Sequence, residues 1–128
     1  SILDDIPFTF PAYLKANKIQ KKVASVGFEY KNELEALNKV FEETKELEKE
    51  IKSKNKKKIK EELGDLIFAV LDVARKLKLD PEKVLKQSNK KFIKRWQKLE
   101  NYITKENFKL NNLNINQYNK IWNKIKKN

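Results

Sequence analysis

Cysteine, histidine and methionine are all absent from this 128-residue chain, which also has only two glycines and three prolines. Without Cys or His there is no disulfide, no thiolate or imidazole zinc site, no cysteine nucleophile and no histidine-based triad. Any catalysis must rest mainly on carboxylates, Lys and Arg, and oxygen donors suit magnesium or manganese better than zinc or copper. Long apolar runs are missing too. None approaches the roughly 20 residues that span a bilayer, and no short one follows a basic start as in a secretory signal. The expectation is a soluble, cytoplasmic protein with no membrane partner. The scarcity of glycine draws attention to Gly64, which interrupts a helical pattern at a cost of about 1 kcal/mol relative to Ala. Either a close neighbour of that backbone or simple helix packing would account for it.

What the chain has in quantity is charge, with 30 basic and 18 acidic residues giving a formal net charge of +12. Such a surplus suits phosphate-rich partners, and a basic helical module that binds RNA or DNA without catalysis is one reading of it. Lysine outnumbers arginine 28 to 2, however, alongside abundant Asn and Ile. That pattern fits AT-biased coding with solvated lysine faces, so nucleic acid is disfavoured as a partner. The distribution is more telling. Eleven of the 18 acids lie between Glu29 and Asp65, nearly balanced by ten Lys, whereas from Lys90 onward eleven basic residues face two acidic ones. An acidic segment followed by a basic one meets the needs of a metal-plus-polyphosphate site.

The apolar spacing predicts an all-α protein of one domain, in which 39% hydrophobic residues supply a modest core. Residues 1–10, with Pro7 and ending against Pro11, read as an extended, linker-like lead-in to a domain over 11–128. A first helix follows with Leu14, Ile19, Val23 and Val26 on its apolar face and Gly27 as its stop. Asn32 and Glu35 form a capping-box-like start to a second helix reaching about Ile51. After a break at Ser53 to Lys56, a third helix carries Ile59, Leu63, Leu66, Ile67, Val70, Ala74 and Leu77. Its middle is apolar nearly all round, which predicts deep burial and a core completed by oligomerisation. Asp80-Pro81-Glu82 opens a fourth helix, with Leu85, Ser88, Phe92, Trp96 and Leu99 facing inward. Asn101 to Asn116 reads as loop, and Tyr118, Ile121, Trp122 and Ile125 mark a last short helix.

Two acidic clusters stand out: Glu42-Glu43-Thr44-Lys45-Glu46 and Glu61-Glu62-Leu63-Gly64-Asp65. Carboxylates three apart share a helix face, so Glu43 pairs with Glu46 and Glu62 with Asp65. If the second and third helices form an antiparallel hairpin turning near Ser53 to Asn55, Glu46 comes level with Glu62 and Glu43 with Asp65. Four carboxylates would then converge on a divalent cation. The competing reading of either cluster alone is a solvated helix face with Lys partners. A second constellation places Lys91 and Arg95 on one face beside Phe92 and Trp96, an arrangement fitted either to bidentate phosphate contact or to aromatic stacking and helix ion pairs. Trp122 and Lys126 repeat the spacing, with Trp122 equally readable as a core anchor.

Together these residues resemble the MazG family of nucleoside triphosphate pyrophosphohydrolases, in particular the C-terminal catalytic domain of its two-domain bacterial members. The resemblance runs from Leu3-Asp4-Asp5-Ile6-Pro7 through Ala16 to Lys21, Val26-Gly27-Phe28, both acidic clusters, Asn89 to Arg95, and Ile121-Trp122. It implies a helical bundle forming an intertwined homodimer. It also implies magnesium-dependent cleavage of nucleoside triphosphates between the α and β phosphates to give a monophosphate and pyrophosphate, with a house-cleaning role in nucleotide pools. Manganese is an alternative metal. By motif position, Glu43, Glu46, Glu62 and Asp65 would be metal ligands, and Glu42 and Glu61 would orient ligands or water, either being a candidate general base. Lys58, Lys91 and Arg95 would contact the triphosphate, and Trp122 and Lys126 the nucleotide. Asp72 stands where the family often has Asn in a position implied to meet sugar or base, and Tyr118 where the last helix commonly has Met. The chain begins at the segment that follows the first domain of those relatives, so it is expected to be part of a longer protein or a reduced single-domain version.

Overall fold

A computed structural model describes residues 1–127. Among them are five α-helices and no strand: α1 (Ala12–Ser25), α2 (Glu33–Ser53), α3 (Lys56–Lys76), α4 (Pro81–Lys105) and α5 (Ile115–Lys127), with a 3-10 turn at Leu110–Asn112 before α5. The chain forms two compact units, residues 1–81 and 82–128. No helix among the described residues is long and apolar enough to cross a membrane.

In the first unit the lead-in is a string of turns rather than an extended arm. Backbone bonds run from Asp4 to Ser1, Ile6 to Leu3 and Phe10 to Pro7, and Lys22 of α1 pairs with Asp5. α1 stops where Gly27 adopts φ +94°, with Gly27 N–H donating to Ala24 O and Phe28 N–H to Val23 O, the paired bonds of a Schellman cap. The buried residues of α1 are Ala16 and Gln20, whereas Val26, expected on the apolar face, is two-thirds exposed. Asn32 caps α2 by accepting from Glu35 N–H at 2.9 Å, while the Glu35 carboxylate accepts from Lys31 N–H. Lys54 takes the left-handed conformation at the turn and Asn55 caps α3 by accepting from Lys58 N–H. These devices set the antiparallel α2–α3 hairpin, the most extensive helix pairing in the structure.

Deep burial of α3 is not observed within the chain. Ala69 is its buried residue, while Leu63, Ile67, Phe68 and Val70 are all exposed, Ile67 at 55%. α1 and α2 cover the rest of α3, and that apolar face stays open. Of the two readings of Gly64, the close neighbour is not observed: among the described residues a Cβ built there meets nothing within 4 Å.

The second unit has a conventional core of Leu99, Ile103 and Ile121, with Trp96, Tyr102, Leu113, Tyr118, Trp122 and Ile125 packed round it. The Asn-rich segment expected to be loop from Asn101 is helical through Lys105. Leu99 and Ile103, four residues apart and 1% and 2% exposed, carry the buried stripe of α4 onward despite the polar residues between them. Asn107 at φ +61° ends it. Asn114 and Gln117 exchange side-chain to backbone bonds at 2.9 Å each, which starts α5 inside the segment read as loop. Tyr118 donates to Leu110 O and stacks on Trp96, giving its hydroxyl and ring separate partners.

Candidate active site

The α2–α3 hairpin brings Glu43, Glu62 and Asp65 together, one carboxylate oxygen of each lying within 4.8 Å of the others. Glu43 is buried, Glu62 half-buried and Asp65 exposed, so the group forms a pocket edge with one side in the protein and one in solvent. Burial lifts the Glu62 carboxyl above the usual carboxylate range, helped by its hydrogen bond with Glu43 and by the charges of Asp65, Glu43 and Glu46. Three carboxyls held at this distance repel one another unless a proton or cation intervenes. A hard, all-oxygen donor set open to water on one side could hold a hard divalent cation.

Glu46 does not join the converging oxygens, although its charge acts on Glu62. Glu42 and Glu61, the preceding residues in each cluster, are exposed. Lys58 lies in the exposed first turn of α3.

Sequence reasoning passed over Lys39. Its Nζ lies 3.1 Å from Glu43 Oε1 and 3.4 Å from Glu42 Oε2, and these bonds, Glu43's foremost, raise its pKa above the ordinary lysine value. The signal was available in the i, i+4 spacing of Lys39 and Glu43, hidden by the abundance of lysine elsewhere. Asp72, two turns beyond Asp65, has its carboxylate held by Arg75 Nε at 2.7 Å. Arg75 also reaches Glu29 at 3.7 Å, and Lys76 pairs with the same Glu29. Between α1 and α3 lies a cavity of about 620 Å³ whose lining includes Lys39, Glu43, Asp65 and Asp72 at polar positions, with Phe28 and Phe68 among its apolar ones.

The remaining predicted residues belong to the C-terminal unit. There Phe92 of α4 meets Trp122 of α5 with ring centroids 5.1 Å apart. Lys91 and Arg95 flank Phe92 along α4, Lys91 exposed and Arg95 half-buried, and Lys126 is exposed one turn past Trp122. Trp122 is thus part of the packing round the α4–α5 core.

A family model of the MazG nucleotide pyrophosphohydrolase domain matches residues 31–99, a span that includes all the acids of both clusters. The nucleoside triphosphate pyrophosphohydrolase of Escherichia coli K12 is 33% identical over 129 residues, covering 99% of this chain and 49% of the relative. The nucleoside triphosphate pyrophosphohydrolase/pyrophosphatase MazG of Thermotoga maritima is 35% identical over 116 residues, covering 91% of this chain and 44% of the relative. An uncharacterised Bacillus subtilis protein, YabN, is 38% identical over 127 residues, covering 98% and 26%. The chain therefore spans half or less of the length of these curated relatives.

Proposed function

This chain belongs to the MazG nucleotide pyrophosphohydrolase family, and from that premise we propose that it hydrolyses nucleoside and deoxynucleoside triphosphates at the α–β phosphoanhydride. The products are a nucleoside monophosphate and pyrophosphate. The observation that carries the reading is the convergence of Glu43, Glu62 and Asp65. A basic nucleic-acid module has no use for three carboxyls held together beside a cavity.

In this reading residues 11–128 act as a MazG-like catalytic domain. Glu43, Glu62 and Asp65 would hold magnesium, with manganese as an alternative, and Glu46, whose carboxylate lies outside the converging trio, would have to turn inward to join them. The metal would neutralise phosphate charge and lower the pKa of a bound water. Glu42 or Glu61 would take the water's proton, both being exposed and Glu42 being paired with Lys39. Lys58, Lys91 and Arg95 bind the triphosphate and stabilise charge that develops on the pyrophosphate leaving group. Trp122, Lys126 and Asp72 contact the nucleoside portion, Asp72 from a carboxylate already fixed by Arg75.

The functional unit is a homodimer. The open apolar face of α3, including Leu63, Ile67 and Val70, supports it, since a contiguous face of this kind marks an interaction surface. A house-cleaning role in nucleotide pools is proposed on the family resemblance alone. The test is turnover of each common triphosphate with magnesium and with chelator. Magnesium-dependent loss of triphosphate supports the proposal, whereas no turnover together with strongly salt-dependent nucleic-acid binding would favour the basic-module reading.

A further inference from the structure

Gln20 is 3% exposed and lines the cavity between α1 and α3. Its Nε2 donates to the Phe68 carbonyl at 2.9 Å. That bond fixes the amide's orientation, because the flipped form would set two acceptors against each other. Oε1 is then a buried acceptor with no donor among the described residues. Leaving such an atom unpaired forfeits its hydration without return, so a buried orphan calls for a partner. The cavity it lines is where one would arrive.

The cavity's chemistry narrows the choice. Phe28, Tyr30 and Phe68 contribute aromatic rings to the same lining, with Ile19, Val23 and Ala69 adding apolar surface, a composition suited to a flat heterocycle. The lining also includes Glu43 and Asp65 of the acidic trio. Phe68, the residue Gln20 holds, lies about 4.5 Å further along α3 than Asp65 at 1.5 Å per residue. The Gln20 amide and the acids thus border one cavity, as the base and phosphate ends of a single bound nucleotide require.

We propose that Gln20 is the base-reading residue of this cavity, its Oε1 accepting a hydrogen bond from an N–H on the Watson–Crick edge of the nucleobase. This rests on the reading of the acidic trio as the phosphate end of a nucleotide site. Every common base presents such an N–H: the amino groups of adenine and cytosine, the ring N–H of uracil and thymine, and both kinds in guanine. The site therefore reads the presence of an edge donor and not which base carries it. It accepts many triphosphates and rejects a heterocycle that has none.

The test compares ATP with purine riboside 5′-triphosphate, which lacks the amino group and has no edge N–H, and with 2′,3′-dideoxy-ATP, which keeps the base and lacks the sugar hydroxyls. Dissociation constants are measured by calorimetry in calcium, with the nucleotides checked for integrity afterwards, and turnover is followed separately in magnesium. The wild-type chain should bind purine riboside triphosphate about tenfold or more weakly than ATP, and dideoxy-ATP comparably to ATP. In Gln20→Met, matched in length, the tenfold gap should close, whereas a merely structural role would weaken both ligands alike. Equal binding of ATP and purine riboside triphosphate by the wild type overturns the inference without needing the variant to fold. So does a preference that follows the sugar hydroxyls, or a gap that persists in Gln20→Met. Turnover with no base discrimination removes the inference and leaves the hydrolase reading in place. Discrimination in binding with no turnover does the reverse, and failure to bind any of the three overturns both.

Discussion

Glu62 on α3 meets Glu43 across the hairpin from α2, and burial together with the hydrogen bond to Glu43 holds the Glu62 carboxyl above the usual carboxylate range. A raised acid destabilises the fold at pH above its folded value, and that cost disappears as pH falls through it. Without metal, Glu62→Gln should therefore raise the melting temperature at neutral pH. Magnesium should stabilise the wild-type chain, by about 2.7 kcal/mol at a hundred times its dissociation constant, and should not stabilise Glu43→Gln or Glu62→Gln. Thermal melts with magnesium and with chelator check both signs.

Glu43→Gln and Asp65→Asn should each lower kcat by about 100-fold or more, the scale on which positioned charge acts in catalysis, with far-UV circular dichroism unchanged. Lys91→Ala and Arg95→Ala should lower kcat/KM by roughly ten- to a hundredfold, as for a lost charge-assisted hydrogen bond. Steady-state kinetics decide these. Unchanged constants for either basic residue would remove it from the site.

The parts of this fold that could be read from the sequence are those governed by local spacing. Asn32 with Glu35, the Lys54–Asn55 turn and Pro81 all act within a few residues of themselves, and the hairpin register that follows from them joins Glu43 to Glu62 and Asp65. The misreadings arise where a distant partner decides. Local spacing assigns Gln20 no role, because its bond is to the Phe68 carbonyl, 48 residues away. α4 was cut short because Asn101 and its neighbours outweighed Leu99 and Ile103 in composition, although the last two settle the helix by packing on Ile121. α3 was expected to be deeply buried because its middle is apolar nearly all round, and a single chain has too few helices to cover such a surface.

Glu29 is held below its ordinary pKa by the hydrogen bond from Lys76 and the nearby charges of Lys76 and Arg75. A carboxylate depressed in the folded state adds stability that is present above its unfolded pKa and lost as pH falls through the folded one. The fold should therefore weaken as pH drops from about 4.5, the ordinary value, downward. Glu29→Gln should flatten that limb of the profile, measured by denaturant unfolding from pH 6 to pH 3. An identical slope in the variant would place the acid sensitivity elsewhere.

Leu99→Ala should destabilise the C-terminal unit by about 2–5 kcal/mol, the cost of emptying a fully buried site, measured by chemical denaturation. Ile67→Asp bears on a different question, since Ile67 is exposed in the single chain. If its face is the dimer contact, the substitution should leave helicity intact and shift sedimentation from dimer to monomer. A variant that sediments as the wild type does would exclude this face.

The central claim concerns which bond is broken at the Glu43, Glu62 and Asp65 site, and phosphorus NMR of ATP incubated with the chain and magnesium addresses it most directly. The account predicts that the three ATP resonances give way to one pyrophosphate signal and one AMP signal in equal molar amounts, with no change in Asp65→Asn. Inorganic phosphate appearing with ADP, or ATP persisting unchanged with the wild-type chain, would contradict it.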